Sequence, residues 1–192
     1  MGLRRTARGT TVAISLLAAA ALAISASPAS AKMSDGYVRG YDNFRGDWSD
    51  EGVFGFRYND VSNAVCLWQT VLWANGATEE NGTAFDRADI DGHFGVNTQY
   101  ATKKQQVRWG LADNFGEADG RVGGNTFGEA DDDLVKGGGF EDRGKTLFLT
   151  YNPGFGRTFD LYRNTSGIYW FKADGDSGPW TNTSYVGSSS CD

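Results

Sequence analysis

The sequence predicts an α+β fold in which a unit of three helices is followed by a small antiparallel β-meander. Three observations support this fold class. Apolar residues recur at helical spacing between residues 61 and 76, and a turn motif that can start a helix occurs twice, 28 residues apart. Beyond residue 139, aromatic and β-branched runs alternate with turn residues. On this basis we divide the chain into residues 1–31, 32–60, 61–134 and 135–192.

Residues 1–31 have the composition of a secretory signal peptide. Three arginines within the first eight residues precede an apolar run over residues 12–24, and small residues at 29–31 fit the cleavage rule. The apolar run is too short to cross a bilayer core of about 30 Å as a helix. We therefore expect a secreted protein, extracellular or associated with the cell wall, that has no membrane contact once the signal is removed.

The charge of the chain excludes two classes of partner. The full sequence carries 18 Lys and Arg against 24 Asp and Glu, a net charge of −6. Without residues 1–31, which hold three arginines and no acidic residue, the balance is 15 against 24 and the net charge is −9. Because phosphates and anionic head groups would be repelled, we expect neither a nucleic-acid partner nor a membrane surface.

The two cysteines predict one disulfide. An even number of cysteines in a protein bound for an oxidising compartment favours pairing, so Cys66 and Cys191 are expected to be bonded. Cys66 lies on the first predicted helix, on a flank shared with Gln69 and Trp73. The C-terminal part of the chain is therefore expected to dock on that helix.

Residues 32–60 are rich in glycine and aromatic residues without a clear period. We expect an irregular, loosely docked segment with a short strand near residues 53–58. The first helix follows. Ser62 and Asn63 can cap it, the apolar residues recur at helical spacing, and the Asn75-Gly76 pair favours its end.

The second and third helices are predicted from the repeated turn. Asp can accept backbone N–H bonds in a tight turn, the first Gly tolerates positive φ, and Thr can satisfy an orphan donor in the first helical turn. Each copy therefore indicates a turn that starts a helix, over residues 96–109 and then 125–134. The motif residues are Asp91, Gly92, Gly95 and Thr98, and again Asp119, Gly120, Gly123 and Thr126.

The C-terminal part predicts three or four short strands. Residues 146–151, 158–162 and 168–172 are aromatic and β-branched runs separated by turn sequences. Such a small sheet is marginal by itself. We therefore expect it to pack against the helices or against the N-terminal segment.

A set of positions between Val65 and Ala130 resembles the peptidoglycan-binding-like domain family, a three-helix module found on many secreted wall enzymes. The first helix contributes Val65, Leu67, Gln69, Leu72 and Gly76. The first turn and its helix contribute Ile90, Asp91, Gly92, Phe94, Gly95, Thr98 and Ala101. The remaining positions are Gln106, Gly110, Leu111, Asp119, Gly120, Val122, Gly123, Thr126 and Phe127.

The resemblance implies a non-catalytic secreted protein that binds bacterial cell-wall peptidoglycan, either its glycan strand or its stem peptide. Sugar rings favour flat aromatic faces, whereas stem peptides favour polar groups at a concave rim. The ligand-binding candidates are therefore Trp73, Tyr100, Trp109 and His93.

Two alternatives stay open. One is a peptidoglycan hydrolase that uses a carboxylate pair, for example Glu129 with the acidic run at residues 131–133. The other is a secreted module that binds or inhibits another protein.

We expect no cofactor and no metal. His93 is the only histidine, whereas a catalytic zinc site needs two or three, and Arg87 and Thr98 occupy positions where a calcium loop places carboxylates. Residues 175–179 resemble the nucleophile loop of chymotrypsin-like proteases, but a hairpin turn is the better interpretation.

Overall fold

A computed structural model describes residues 33–173, 178–187 and 189–191. The predicted signal peptide and most of the predicted turn at 175–179 lie outside the described residues. The helices are α1 (Asn63–Ala74), α2 (Val96–Arg108) and α3 (Gly124–Asp131), with short 3-10 turns at Met33–Asp35 and Arg87–Asp89. The strands are β1 (Phe54–Gly55), β2 (Arg121–Val122), β3 (Leu134–Gly139), β4 (Leu147–Tyr151), β5 (Phe159–Arg163), β6 (Tyr169–Phe171) and β7 (Thr181–Asn182). The predicted α+β class is confirmed.

Helix α1 is the central element. It begins where predicted, because the Ser62 hydroxyl accepts a hydrogen bond from the Val65 N–H at 3.2 Å. It ends at Asn75, after which Gly76 adopts a φ of +63°. All twelve of its residues are buried. A helix that is buried on every side must be covered by several elements, not only by its two sister helices.

The strands form two antiparallel sheets. β1 pairs with β2, while the other five strands form a meander in the order β3-β4-β5-β6-β7. The sequence predicted the three central strands and missed the two at the edges. β3 contains the glycine run at residues 137–139, which we interpreted as the boundary before the sheet because glycine disfavours a strand. The pairing of β3 with β4 is irregular between Lys136 and Gly138. β7 has only two residues, too few for a periodic pattern.

The N-terminal segment belongs to the core, so the expectation of loose docking is wrong. Trp48 and Phe54 are fully buried. The Trp48 ring packs edge to face against Phe127 at 5.6 Å and against Tyr169 at 5.5 Å. The segment thus fills the space between α3 and the large sheet. The short strand predicted near residues 53–58 is reduced to β1, which turns back at Tyr58.

Backbone pairing also joins the N-terminal segment to the end of the sheet. The Val38 N–H donates to the Thr183 carbonyl at 3.0 Å, and the Tyr169 N–H donates to the Val38 carbonyl at 3.1 Å. Residues from both ends of the described chain therefore meet at β6 and β7. One hydrophobic cluster draws side chains from the N-terminal segment, the helices and the sheet.

A buried ion pair fixes this junction. Arg163 is 1% exposed, and its Nη1 lies 2.6 Å from Asp47 Oδ2. The Tyr169 hydroxyl donates to the same oxygen at 2.6 Å. Burial raises the pKa of Asp47 to about 6, although the Tyr169 hydrogen bond and the Arg163 charge act to lower it. The pair connects the N-terminal segment with β5 and β6.

The predicted disulfide is present between Cys66 and Cys191, with Cα atoms 6.3 Å apart. The C-terminal residues dock beside α1, as expected. The Ser190 N–H donates to Asn63 Oδ1 at 2.8 Å, and the Ser189 hydroxyl donates to the Asp91 carbonyl at 2.7 Å. Among the described residues, no helix has the length and apolar character needed to cross a membrane.

Candidate functional site

Each copy of the repeated turn is organised by a glutamine from the preceding helix. In the first copy, Gln69 Nε2 lies 2.8 Å from Asp91 Oδ1 and 3.0 Å from the His93 carbonyl oxygen. The same nitrogen lies 3.2 Å from Thr98 Oγ1. Gln69 Oε1 accepts the Gly92 N–H at 2.7 Å. One buried side-chain amide therefore contacts the aspartate, the glycine, the histidine carbonyl and the threonine of the turn.

The second copy repeats this arrangement around Gln106. Its Nε2 lies 2.7 Å from Asp119 Oδ1, 2.9 Å from the Arg121 carbonyl oxygen and 3.1 Å from Thr126 Oγ1. Its Oε1 accepts the Gly120 N–H at 2.9 Å. The glutamines do not belong to the sequence repeat, whose positions all recur after 28 residues. Gln69 lies 22 residues before Asp91, whereas Gln106 lies only 13 residues before Asp119.

The glycines of the motif have two distinct tasks. Gly92 and Gly120 adopt φ values of +71° and +65°, which other residues adopt only with strain. Gly95 and Gly123 occupy the N-cap positions of α2 and α3, where neither helix has a side-chain cap. The first-turn N–H groups of α2 therefore lack a capping side chain.

Each turn borders an open hollow on the surface. The first hollow has a volume of about 270 Å³, and its wall includes Asp89, His93 and Asn97. The second hollow has a volume of about 290 Å³, and its wall includes Arg121 and Asn125, which stand where His93 and Asn97 stand in the first copy.

The N-terminal segment distinguishes the two hollows. A Cβ added to Gly123 would contact Val53, and one added to Gly124 would collide with the Ser49 carbonyl oxygen, so this segment lies close against the start of α3. A Cβ added to Gly95, by contrast, would have no heavy atom within 4 Å. The start of α2 therefore has no such neighbour, whereas the N-terminal segment forms one wall of the second hollow.

The four predicted ligand-binding candidates are spread over several surfaces. Only His93 lines the first hollow. Trp73 is 7% exposed, and the guanidinium carbons of Arg87 and Arg157 lie 4.9 Å and 5.2 Å from its ring centroid. These groups occupy the space that a sugar ring would need.

The other two candidates also make aromatic contacts within the protein. Trp109 is partly buried and packs edge to face against Trp68, with ring centroids 6.0 Å apart. Tyr100 is half-buried, and its ring centroid lies 4.9 Å from that of Phe115. Neither ring lines the first hollow.

A pair of interacting carboxyls stands beside the first hollow. Glu79 Oε1 accepts a hydrogen bond from Asn97 Nδ2 at 2.7 Å, and its Oε2 accepts one from the Thr83 hydroxyl. The Thr83 hydrogen bond is the main reason that the pKa of Glu79 is lowered, whereas burial raises the pKa of Asp89. The Glu79 charge also acts to raise the pKa of Asp89, so the two carboxyls are close enough to interact. Their positions in an irregular loop gave no sequence signal.

The acidic run at residues 131–133, which the sequence suggested for a hydrolase, has a different environment from the pair of Glu79 and Asp89. Asp131 is fully buried, and its oxygens accept the N–H groups of Gly46 and Trp48, both at 2.9 Å. Burial raises its pKa. Asp131 therefore anchors the N-terminal segment. In the described part of the chain, no group of three or more His, Cys, Asp or Glu side chains is arranged to hold a metal ion.

The resemblance to the peptidoglycan-binding-like family rests on the motif positions between Val65 and Ala130. Two of those positions, Gln69 and Gln106, organise the repeated turns. Comparison with known protein families, curated proteins and solved structures finds no match for this chain. A function must therefore be inferred from the geometry of the turns and of the surfaces beside them.

Proposed function

We propose that this chain is a secreted, non-catalytic protein that binds bacterial cell-wall peptidoglycan, and that its helical unit receives the stem peptide in the first hollow. One observation carries the proposal. At the open start of α2, His93 stands with Asp89 and Asn97 around a cavity of about 270 Å³. In the second copy the N-terminal segment packs against the start of α3 and forms one wall of the hollow.

The chemistry of the first hollow suits a short peptide. A stem peptide presents amides, carboxylates and amino groups, and the wall offers an imidazole, a carboxylate and a side-chain amide. The uncapped first turn of α2 adds N–H donors where the helix dipole favours a carboxylate. Pockets for drug-sized ligands start at about 300 Å³, so this volume fits one or two residues.

The same surface is poorly suited to a glycan strand. Sugar recognition favours exposed aromatic faces, but Trp73 is covered by two guanidinium groups and Trp109 packs against Trp68. The wall of the first hollow is mainly polar. The stem peptide is therefore the part of peptidoglycan that we assign to the helical unit.

The test compares equivalent positions of the two turns. Soluble stem peptide is titrated into the purified mature protein, and the affinity is measured by calorimetry for His93→Ala and for its counterpart Arg121→Ala. We expect His93→Ala to weaken binding roughly tenfold, a loss of about 1.4 kcal/mol, while Arg121→Ala leaves the affinity unchanged. Equal effects of the two substitutions, or no binding by the unsubstituted protein, would contradict the assignment.

The carboxyl pair beside the first hollow is the specific observation that favours the hydrolase alternative. A glycosidase needs two carboxyls that are free to act on the sugar or on a water between them. Both oxygens of Glu79 instead accept hydrogen bonds within the protein, from Asn97 and from Thr83. We therefore expect the protein to pellet with insoluble peptidoglycan without releasing soluble fragments. Fragment release that Asp89→Asn abolishes would establish the hydrolase instead, and failure to pellet would favour the protein-binding or inhibitor alternative.

A further inference from the structure

Four aromatic side chains form a row across the solvent-facing side of the large sheet. Phe148 lies on β4, Tyr162 on β5, Trp170 on β6, and Trp180 immediately before β7. We call these four residues the aromatic row. It lies on the meander, so it is separate from the first hollow and from the three-helix unit.

The strand register aligns the aromatic row. Phe148 stands opposite Tyr162, and Tyr162 stands opposite Trp170. The ring centroids of Tyr162 and Trp170 are 5.9 Å apart with planes only 10° from parallel, and the Trp180 ring meets Tyr162 at 4.7 Å and 80°. Since neighbouring strands are about 4.8 Å apart, the row from β4 to β7 spans roughly 14 Å. This is an elongated surface at right angles to the strands.

The hydrophobic core does not require the aromatic row. The alternate residues of the same strands, such as Leu161 and Phe171, point inward and are buried. Phe148 is 52% exposed and Trp180 is 39% exposed. Large aromatic side chains that cluster on the outer face of a sheet indicate a surface for binding.

The charges around the aromatic row indicate the kind of ligand. The outward positions beside it include one acidic and one basic residue, Asp160 and Lys172, together with the neutral Thr150. The ammonium group of Lys172 lies 5.2 Å from the Trp180 ring centroid. Among the described residues this face is therefore electrically balanced, on a chain that is acidic overall. Such a face complements an uncharged ligand and offers little attraction to a polyanion or a polycation.

We propose that the aromatic row binds a neutral polysaccharide. The choice of a chain of N-acetylated sugars, as in the glycan strand of a cell wall, rests on the proposed wall-binding function. The C–H faces of successive sugar rings would contact the aromatic side chains. The polar groups of Thr150 and Asp160, which lie side by side on the same face, would bond to hydroxyl and acetamido groups at the edge of the sugars. This surface would act independently of the stem-peptide site, because it shares no residue with the first hollow.

The experiment uses soluble oligomers of N-acetylglucosamine and the oxidised mature protein. Affinity is measured by calorimetry, and the indole N–H signals of the six tryptophans are followed by NMR. We expect affinity to rise with oligomer length and the Trp170 and Trp180 signals to shift. Phe148→Ala and Trp180→Ala should each weaken binding roughly tenfold. The matched control is Phe140→Ala, which removes a 65% exposed aromatic ring outside the row and should leave the affinity unchanged.

Several results would overturn the proposal. These are no binding of the oligomers by the unsubstituted protein, binding that moves other tryptophan signals but not those of Trp170 and Trp180, or equal affinity in the row variants and the control. A dimer in sedimentation that Phe148→Ala dissociates would show that the row is an interface between two copies. The stem-peptide titration should be the same in all of these variants, so failure at the row is distinguishable from failure at the first hollow.

Discussion

Gln69 and Gln106 each use one side-chain amide as both hydrogen-bond acceptor and hydrogen-bond donor within a turn. Each side chain accepts an N–H with its oxygen and donates with its nitrogen to oxygens of the same turn. A glutamate could accept but not donate, and a leucine would leave several buried groups unsatisfied. The amide is therefore the residue-level reason that the two turns have the same shape, even though their surroundings differ.

The first glycine of the turn is the most sharply constrained residue beside the first hollow. A Cβ on Gly92 would collide with the Ser189 side chain and would lie 2.8 Å from Cys66 Sγ, in addition to the strain of its positive φ. We expect Gly92→Ala to lower the free energy of unfolding by about 3 kcal/mol. Urea denaturation at constant pH would measure this change.

Gly76→Ala is the matched control for Gly92→Ala. Gly76 has a similar φ of +63°, but a Cβ there would have no heavy atom within 4 Å. Only the backbone strain applies, so the expected loss is about 1 kcal/mol. If both substitutions lower the free energy of unfolding equally, the C-terminal residues move aside without cost. The close packing at Gly92 would then contribute nothing to stability.

The N-terminal segment and strands β5 and β6 are joined by the pair of Asp47 and Arg163. Arg163 Nη2 also donates to the Asp42 carbonyl at 2.8 Å, so the guanidinium contacts the segment at two positions. Because the pKa of Asp47 is raised from 3.8 to about 6, ionisation of this carboxyl opposes folding above pH 6. The corresponding stability is present below about pH 4 and is lost as the pH rises through 6.

Arg163→Met tests the junction between these elements. The substitution leaves the buried Asp47 carboxylate without its cation, so we expect the free energy of unfolding to fall by about 3–5 kcal/mol at pH 7.5. Loss of the arginine charge should raise the pKa of Asp47 further. The deficit should therefore shrink at pH 5, where Asp47 is protonated, and denaturation at the two pH values measures it.

The control for this prediction is Arg143→Met. Arg143 is exposed and lies over the Tyr41 ring, with its guanidinium carbon 3.9 Å from the centroid. It should cost less than about 1 kcal/mol at either pH. A deficit in Arg163→Met that does not change with pH would mean that Asp47 stays ionised throughout.

At the scale of the whole molecule, the helical unit depends on the rest of the chain. Phe127 of α3 contacts Trp48 and Phe54 of the N-terminal segment, and all three side chains are buried. Asn75 at the end of α1 donates to the Tyr151 hydroxyl of β4 at 2.7 Å. An isolated three-helix module would expose these surfaces to water.

We therefore expect a fragment of residues 61–134 not to fold by itself. Without its partners it would expose the apolar faces of α1 and α3, which costs about 25 cal/mol per Å². Its circular dichroism spectrum should lack a cooperative thermal transition, whereas the chain from residue 33 to 192 should unfold in a single transition. A cooperative melt of the fragment would show that the helices form an autonomous domain.

Local sequence signals correctly predicted the ends of α1 and α2, because these depend on the chemistry of neighbouring residues. The limits of α1 and α2 follow from capping and glycine signals, and both helices agree with prediction to within about a residue. α3 was predicted to reach residue 134 but ends at Asp131, because Leu134 enters β3. The burial of the N-terminal segment had no periodic signal, since its aromatic side chains are held by tertiary contacts and a two-residue strand.

The candidate sites, too, could be predicted only where neighbouring residues in the sequence carry a signal. The repeated turn led directly to His93, and Asn97 with Asn125 was a further visible match at the same offset. The pair of Glu79 and Asp89 arises from loop folding and could not be predicted. The aromatic row was only partly visible, because alternation indicates which residues share a face of one strand but not the register between strands.

The pairing of Val38 with β6 and β7 also sets the timing of folding. Val38 and Thr183 are separated by 145 residues, and contacts over such distances slow folding because the loop must close first. At typical rates of synthesis, residue 183 follows residue 38 by roughly 7–30 s. The core therefore cannot close while the residues between them are still being synthesised. Until then the chain stays open, which is the state that a translocation pore can thread.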